Sequence, residues 1–118
     1  REMHAAGVDR VIIVPPSWEG DRNDLALAAA QAHPDRFAVM GRLDPDAPGA
    51  RESIRSWRQQ PGMLGLRFTF HAPVLLPPLT EGRMDGVWAE AEEIPWLTAE
   101  DKAWIMGRGV CEWVGWKT

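Results

Sequence analysis

Three side chains stand where the apolar runs of this sequence end and a fourth lies inside one, and their types suit the binding of a small molecule. Arg42 follows the run Phe37-Ala38-Val39-Met40, and Trp18 follows Val11-Ile12-Ile13-Val14 and its two prolines. His71 comes directly after Phe70, and Arg67 lies inside that third run. Two arginines in one pocket can hold a carboxylate through paired N–H donors, because the planar guanidinium matches the carboxylate edge. The same two residues read equally well as structural arginines tied to neighbours such as Asp44. His71 could ligate a metal or act as a base, but a lone histidine without a second ligand is more often a hydrogen-bonded loop residue. Trp18, Arg42, Arg67 and His71 are therefore the substrate-binding candidates, and no residue is assigned as catalytic or as a metal ligand.

Other reactive types carry less. Ser17 has no histidine near it and no Gly-x-Ser-x-Gly elbow, so it reads as a loop or helix-entry hydrogen bonder rather than a nucleophile. Cys111 lacks a neighbouring histidine and reads as a small buried or half-buried filler. Glu90, Glu92, Glu93, Glu100 and Asp101 sit at helical spacing that puts most of them on a solvated face, and none is given a role. Trp113 and Trp116 share a helix face, which with Trp104 predicts a hydrophobic seam packing the tail against the rest of the chain.

The elements that position these residues follow from the pattern. Arg1 to Ala6 ends a helix closed by Gly7. Val11 to Val14 is an unbroken β-branched run, as in a strand buried on both faces of a parallel sheet. Asn23 to Ala32 is a helix with Leu25, Ala28, Ala29 and Ala32 on one face, ended by His33-Pro34. A second strand lies near 37–41. Ala50 to Gln60 is a surface helix carrying Ile54 and Trp57, broken by Pro61-Gly62. Met63 to Phe70 supplies the third strand, with its body near 64–70. His71 to Arg83 reads as a long loop with three prolines, and Met84 to Glu92 as a helix; Ile94-Pro95-Trp96-Leu97 interrupts before Thr98 caps another. The alternation predicts parallel strands joined by right-handed crossovers, in sequence order. Residues 1–92, with strands near 10–14, 37–41 and 64–70, form an α/β segment, and residues 93–118 a C-terminal helix and tryptophan-rich tail.

Composition narrows the partners. A chain of 118 residues with 45% hydrophobic content fits one domain with a real core. Seventeen acidic against thirteen basic side chains give a net charge of −4, which disfavours nucleic acid and anionic lipid. No apolar stretch reaches the roughly 18 residues of a membrane span. The single cysteine cannot form an internal disulfide, and the opening Arg-Glu-Met-His lacks a signal-peptide pattern, so a cytoplasmic location is expected. The start at Arg1, with Met3 as the first methionine, suggests a larger reading frame.

Several short motifs occur in a meaningful order. They are Pro16-Ser17 with Gly20-Asp21-Arg22-Asn23, then His33-Pro34-Asp35-Arg36-Phe37, Gly41-Arg42-Leu43-Asp44-Pro45 and Gly65-Leu66-Arg67. The last is Leu97-Thr98-Ala99-Glu100-Asp101-Lys102 leading to Met106-Gly107. In this the chain resembles the amidohydrolase-related (amidohydrolase-2) family over most of residues 5 to 107. The resemblance implies a (β/α)8 TIM barrel whose members hydrolyse or decarboxylate small cyclic or carboxylated substrates, often with one divalent metal. In such a barrel the residues just past each strand face the active site.

The departures from that pattern shape the expectation. The family's His-x-His metal pair at the end of the first strand and its later histidine and aspartate have no counterpart here. Trp88-Ala89-Glu90-Ala91-Glu92, similar to a fourth helix, runs directly into Glu93-Ile94-Pro95-Trp96, similar to the lead-in to a last helix. A full barrel needs roughly 250 residues and eight strands. The expectation is therefore a partial barrel of about three parallel strands, without a cofactor of its own, while a complete homologue can hold a divalent metal or, like the family's lactonases, work without one. Its partner would be a small-molecule substrate. The alternative is a non-catalytic module that self-associates or pairs through open strand edges and the tryptophan-rich tail.

Overall fold

A computed structural model of the chain describes residues 2–70 and 72–103. The apolar runs form strands β1 (Val11–Ile13), β2 (Phe37–Gly41) and β3 (Met63–Leu66). Helix α1 (Glu2–Ala5) precedes β1, and α2 (Asp24–Ala32) and α3 (Ala50–Arg55) fill the two crossovers. Helices α4 (Pro77–Thr80), α5 (Asp85–Glu93) and α6 (Ala99–Ala103) follow β3. The strands pair in the order β1-β2-β3, both pairs parallel, as the alternation predicts. Val11, Ile12 and Ile13 face Phe37, Ala38 and Val39. The second ladder is irregular between Val39 and Met40, passing from Val39–Met63 to Met40–Gly65. The result is an open α/β sheet.

Two strands are shorter than expected. The Gly41 carbonyl accepts the Arg67 N–H at 2.8 Å, and beyond that bond β2 has ended, so residues 67–70 have no ladder to join. Val14 is excluded from β1 by the prolines that follow it. The region expected as a loop before Arg83 contains a 3-10 turn (Pro73–Leu75) and α4, each opened by the prolines that suit a first helical turn. The helix expected over Ala50 to Gln60 breaks at Ser56 into α3 and a 3-10 turn, Trp57–Gln59.

The face of α2 also differs from expectation. Ala26 and Ala30 are buried, whereas Leu25 is 63% exposed. Alanine-rich helices carry too little contrast between faces for spacing to choose the rotation, and contact chooses it instead. A Cβ placed on Gly62 would lie 2.7 Å from the Ala30 Cβ, so glycine is what admits α2 to the turn before β3. Gly62 also has φ +88°, a backbone state that glycine adopts without steric cost.

Two clusters make one continuous core on the helix side of the sheet. Val39, Met63, Trp57, Ala26 and Ala30 form the first, and Ile54, Met84, Val87 and Ile94 the second; Leu43 and Leu66 touch both. Among the described residues no buried cluster covers the other face of the sheet. Ile12 is 56% and Leu64 43% exposed, and with Ala38 they line one shallow depression across all three strands.

Candidate functional site

The carboxyl ends of the three strands bring Arg42 and Arg67 together. Both line a depression of about 200 Å³ whose walls include Pro15, Ser17 and Thr69. Both also line an adjoining one of about 220 Å³ bounded by Asp21, Asp44 and Arg83. Parallel α/β sheets hold ligands at this end, where loops diverge and backbone groups are freed from the ladder.

The two arginines are held differently. Arg42 is anchored: its Nε donates to the Gly20 carbonyl at 3.2 Å and lies 3.5 Å from the Asp21 carboxylate. Its backbone is clamped as well. The Asn23 side chain accepts from the Arg42 N–H at 2.7 Å and donates to the Arg42 carbonyl at 2.8 Å. Asn23 thus joins the start of α2 to the exit of β2, a role that sequence reasoning missed. An asparagine before a helix signals a cap, yet here it makes no cap bond and spends both polar atoms on the neighbouring strand. The Arg67 side chain is exposed and makes no hydrogen bond or ion pair among the described residues.

Asp44 binds neither arginine. Its carboxylate accepts the Asp46 N–H at 2.9 Å and closes its own turn, and Asp46 pairs with Arg83. The structural half of the arginine reading therefore applies to Arg42, with Asp21 as partner rather than Asp44. Trp18 sits in a 3-10 turn (Ser17–Glu19), is 81% exposed and lines neither depression. The Ser17 side chain, expected to hydrogen-bond at a loop or helix entry, makes no hydrogen bond among the described residues. His71, Trp104, Cys111, Trp113 and Trp116 lie outside the described residues.

One acidic residue departs from expectation. Glu90 is buried, its side chain 6% exposed, and its carboxylate takes Arg55 Nε at 2.6 Å and Arg51 Nε at 3.2 Å. The Arg55 hydrogen bond, opposed by burial and aided by the charges of Arg55 and Arg51, holds the Glu90 carboxyl below the usual range. The triad ties α3 to α5, and both arginines keep much of their surface in water. Spacing along α5 alone could not show it, because the partners are on another helix. Asp101 is exposed, as expected for most of these acids, and it also caps α6: it accepts from Thr98 N–H and Oγ1, and the Thr98 hydroxyl accepts from Asp101 N–H at 3.1 Å. These bonds hold its carboxyl low too.

Among the described residues no group of three or more His, Cys, Asp or Glu is placed to hold a metal ion. No described helix is long and apolar enough to cross a membrane. Compared with protein-family models, with curated proteins and with solved structures, the chain matches none.

Proposed function

We propose that this chain is a sector of a (β/α)8 barrel of the amidohydrolase-related kind, and that its contribution to chemistry is to hold the carboxylate of a small substrate. The observation that carries the reading is the convergence of Arg42 and Arg67 on one depression at the carboxyl ends of parallel strands. Arg42, fixed by Gly20 and Asp21, supplies a positioned charge, and Arg67 supplies donors with no competing partner among the described residues. Ser17 and Thr69 add hydroxyls to the same wall. In the parent hydrolase such a clamp orients an ester, amide or lactone for attack by water, which lowers the barrier by prepaying orientation. No step is assigned to a metal in this chain.

The test is a titration of ¹⁵N-labelled protein with benzoate and succinate, following the guanidinium Nε–H resonances. Arg42 and Arg67 should shift together, neutral amides of the same shape should leave them still, and Arg67→Met should remove the response at Arg42. Silence at both arginines, or equal shifts with the neutral analogues, would remove the reading. A panel of lactones and esters that carry a free carboxylate should bind without turnover, since the chain carries a clamp and no assigned nucleophile or base.

One observation favours a second reading. Ile12 and Leu64 lie exposed on a sheet face with open edges at β1 and β3, a surface suited to pairing with another chain. A molar mass that rises with concentration, without any carboxylate response at Arg42 and Arg67, would select this interaction module over the clamp.

A further inference from the structure

The exposed face of the sheet carries a pattern that is complementary to itself. Ile12 and Ala38 are Cα partners in the ladder between β1 and β2, so a large and a small side chain stand level on neighbouring strands. Leu64, on β3, flanks Ala38 from the other side and shares the same depression. At the amino ends of β1 and β2, Arg10 and Asp35 form the rim of that depression. Both are exposed, and neither side chain makes a hydrogen bond or ion pair among the described residues. Arg36 beside them is committed: its guanidinium donates to the Val8 and Asp9 carbonyls at 3.1 and 3.3 Å. One free cation and one free anion therefore border an exposed apolar floor.

We propose that a second copy of this chain packs on this face, about a two-fold axis that runs along the strands between β1 and β2. That operation lays β1 of each copy over β2 of the other and keeps the strand directions aligned. Ile12 then fills the space above Ala38 of the partner subunit and lies beside the partner subunit's Leu64, while Arg10 faces the partner subunit's Asp35. Two-fold symmetry makes every contact twice, so two apolar knobs and two ion pairs form together. Stacked sheets sit about 10 Å apart, a gap that isoleucine and leucine side chains fill. A rim with one charge of each sign matches a copy of itself better than a partner of a single sign. The strand edges offer less: β1 has three residues and β3 four, and prolines follow β1 closely, so few backbone groups are open to pairing. With strands of three to five residues the face is small, which places the dimer among weak interfaces of under about 1,200 Å². It dissociates on dilution, and substitutions on the face then act as ordinary surface changes. The inference rests on the pairing reading and names its partner. It is independent of the carboxylate clamp, which lies at the other ends of the strands.

The test is the molar mass of the full chain by sedimentation equilibrium, from about 10 μM to about 1 mM, the range in which weak dimers form. The natural chain should rise from one chain towards two and no further, because a two-fold face closes on itself. Arg10→Asp leaves two acids on each rim and Asp35→Arg two bases, so each variant alone should associate about tenfold or more weakly. An equimolar mixture of the two should restore association, since every acid then meets a base on the other copy. Both positions are exposed, and far-ultraviolet circular dichroism checks that each variant keeps the fold. A natural chain that stays single at the highest concentration would overturn the proposal and the pairing reading together. Association that ignores both reversals, or that grows past two chains, would leave pairing intact but move it to the strand edges, overturning the proposal alone. Variants that associate no better mixed than apart would overturn it as well.

Discussion

Met63 and Leu64 are neighbours in β3, similar in size and hydrophobicity, yet Met63 is 3% exposed and Leu64 43%. The same contrast runs across the sheet. Val39 is fully enclosed by α2 and the Trp57 turn, while Ile12 on the opposite face is 56% exposed. The two faces are equally apolar in sequence because alternation along a strand records only that both faces need cover. Which face receives it depends on the helices, and here all of the described core lies on one side. In the barrel reading the bare face is the lumen side, normally filled by side chains from strands across the barrel.

The largest expected difference is between neighbours. Met63→Ala should lower stability by about 2–5 kcal/mol, because it removes a buried side chain and leaves a void under Trp57. Leu64→Ala should cost under about 1 kcal/mol, since much of that side chain is already wet. Urea midpoints at constant slope measure both, and equal losses would show that the bare face is covered in solution. The glycines repeat the contrast on a smaller scale. A Cβ at Gly41 would lie 2.7 Å from Met63 Cε and 2.9 Å from Trp57 Cζ2, a ring held by its bond to the Gly65 carbonyl. Gly41→Ala should therefore cost about 1–3 kcal/mol by overpacking. At Gly65 the nearest atom is Met40 Cε at 3.2 Å, the far end of a half-buried, flexible side chain. Gly65→Ala should cost less than half as much, and a reversed order would break the comparison.

Much of this architecture was legible in the sequence, and the reason is local. Strand cores came from β-branched and apolar runs, their order and parallel pairing from the helical crossovers, and the α6 cap from Thr98. Of the site, Arg42 was legible as a strand-end residue, whereas Arg67 was read inside the third run and stands past a strand end only because β3 stops at Leu66. What was not legible depends on contacts distant in sequence. The α2 rotation is set by Gly62, the Glu90 triad by arginines on α3, and the Arg42 anchor by Asn23 and Asp21. None of these leaves a periodic trace. The length of β3 was overestimated because its apolar character continues through Phe70 while its partner stops at Gly41.

On the covered side the helices are joined by charge as well as by packing, and this gives that side a pH signature. The Glu90 carboxyl, held below its ordinary value of 4.5 chiefly by the Arg55 hydrogen bond, contributes stability that is fully present above that value. The contribution is lost as pH falls through the lowered folded-state value. Asp101 acts in the same direction from an ordinary value of 3.8. Thermal midpoints should therefore hold steady from neutrality to about pH 5 and fall below it. Glu90→Gln should lower the neutral midpoint and flatten that acid limb, with Ile12→Thr as a control that leaves the limb intact. An acid limb unchanged by Glu90→Gln would detach the triad from stability.

The smallest expected effect tests the bare face most directly. Ile12→Thr keeps a β-branched side chain, so the extended backbone of β1 is as well served as before. It removes apolar surface and adds a hydroxyl, which is costly only where water is excluded. At 56% exposure the hydroxyl stays hydrated, and the change in stability should fall within about 0.5 kcal/mol, as for ordinary surface substitutions. A loss of about 2 kcal/mol or more would mean that Ile12 is enclosed in solution. Dilution then separates the causes: a loss that disappears at low concentration identifies a second chain on the bare face, because only association depends on concentration. A loss independent of concentration identifies cover from within the chain.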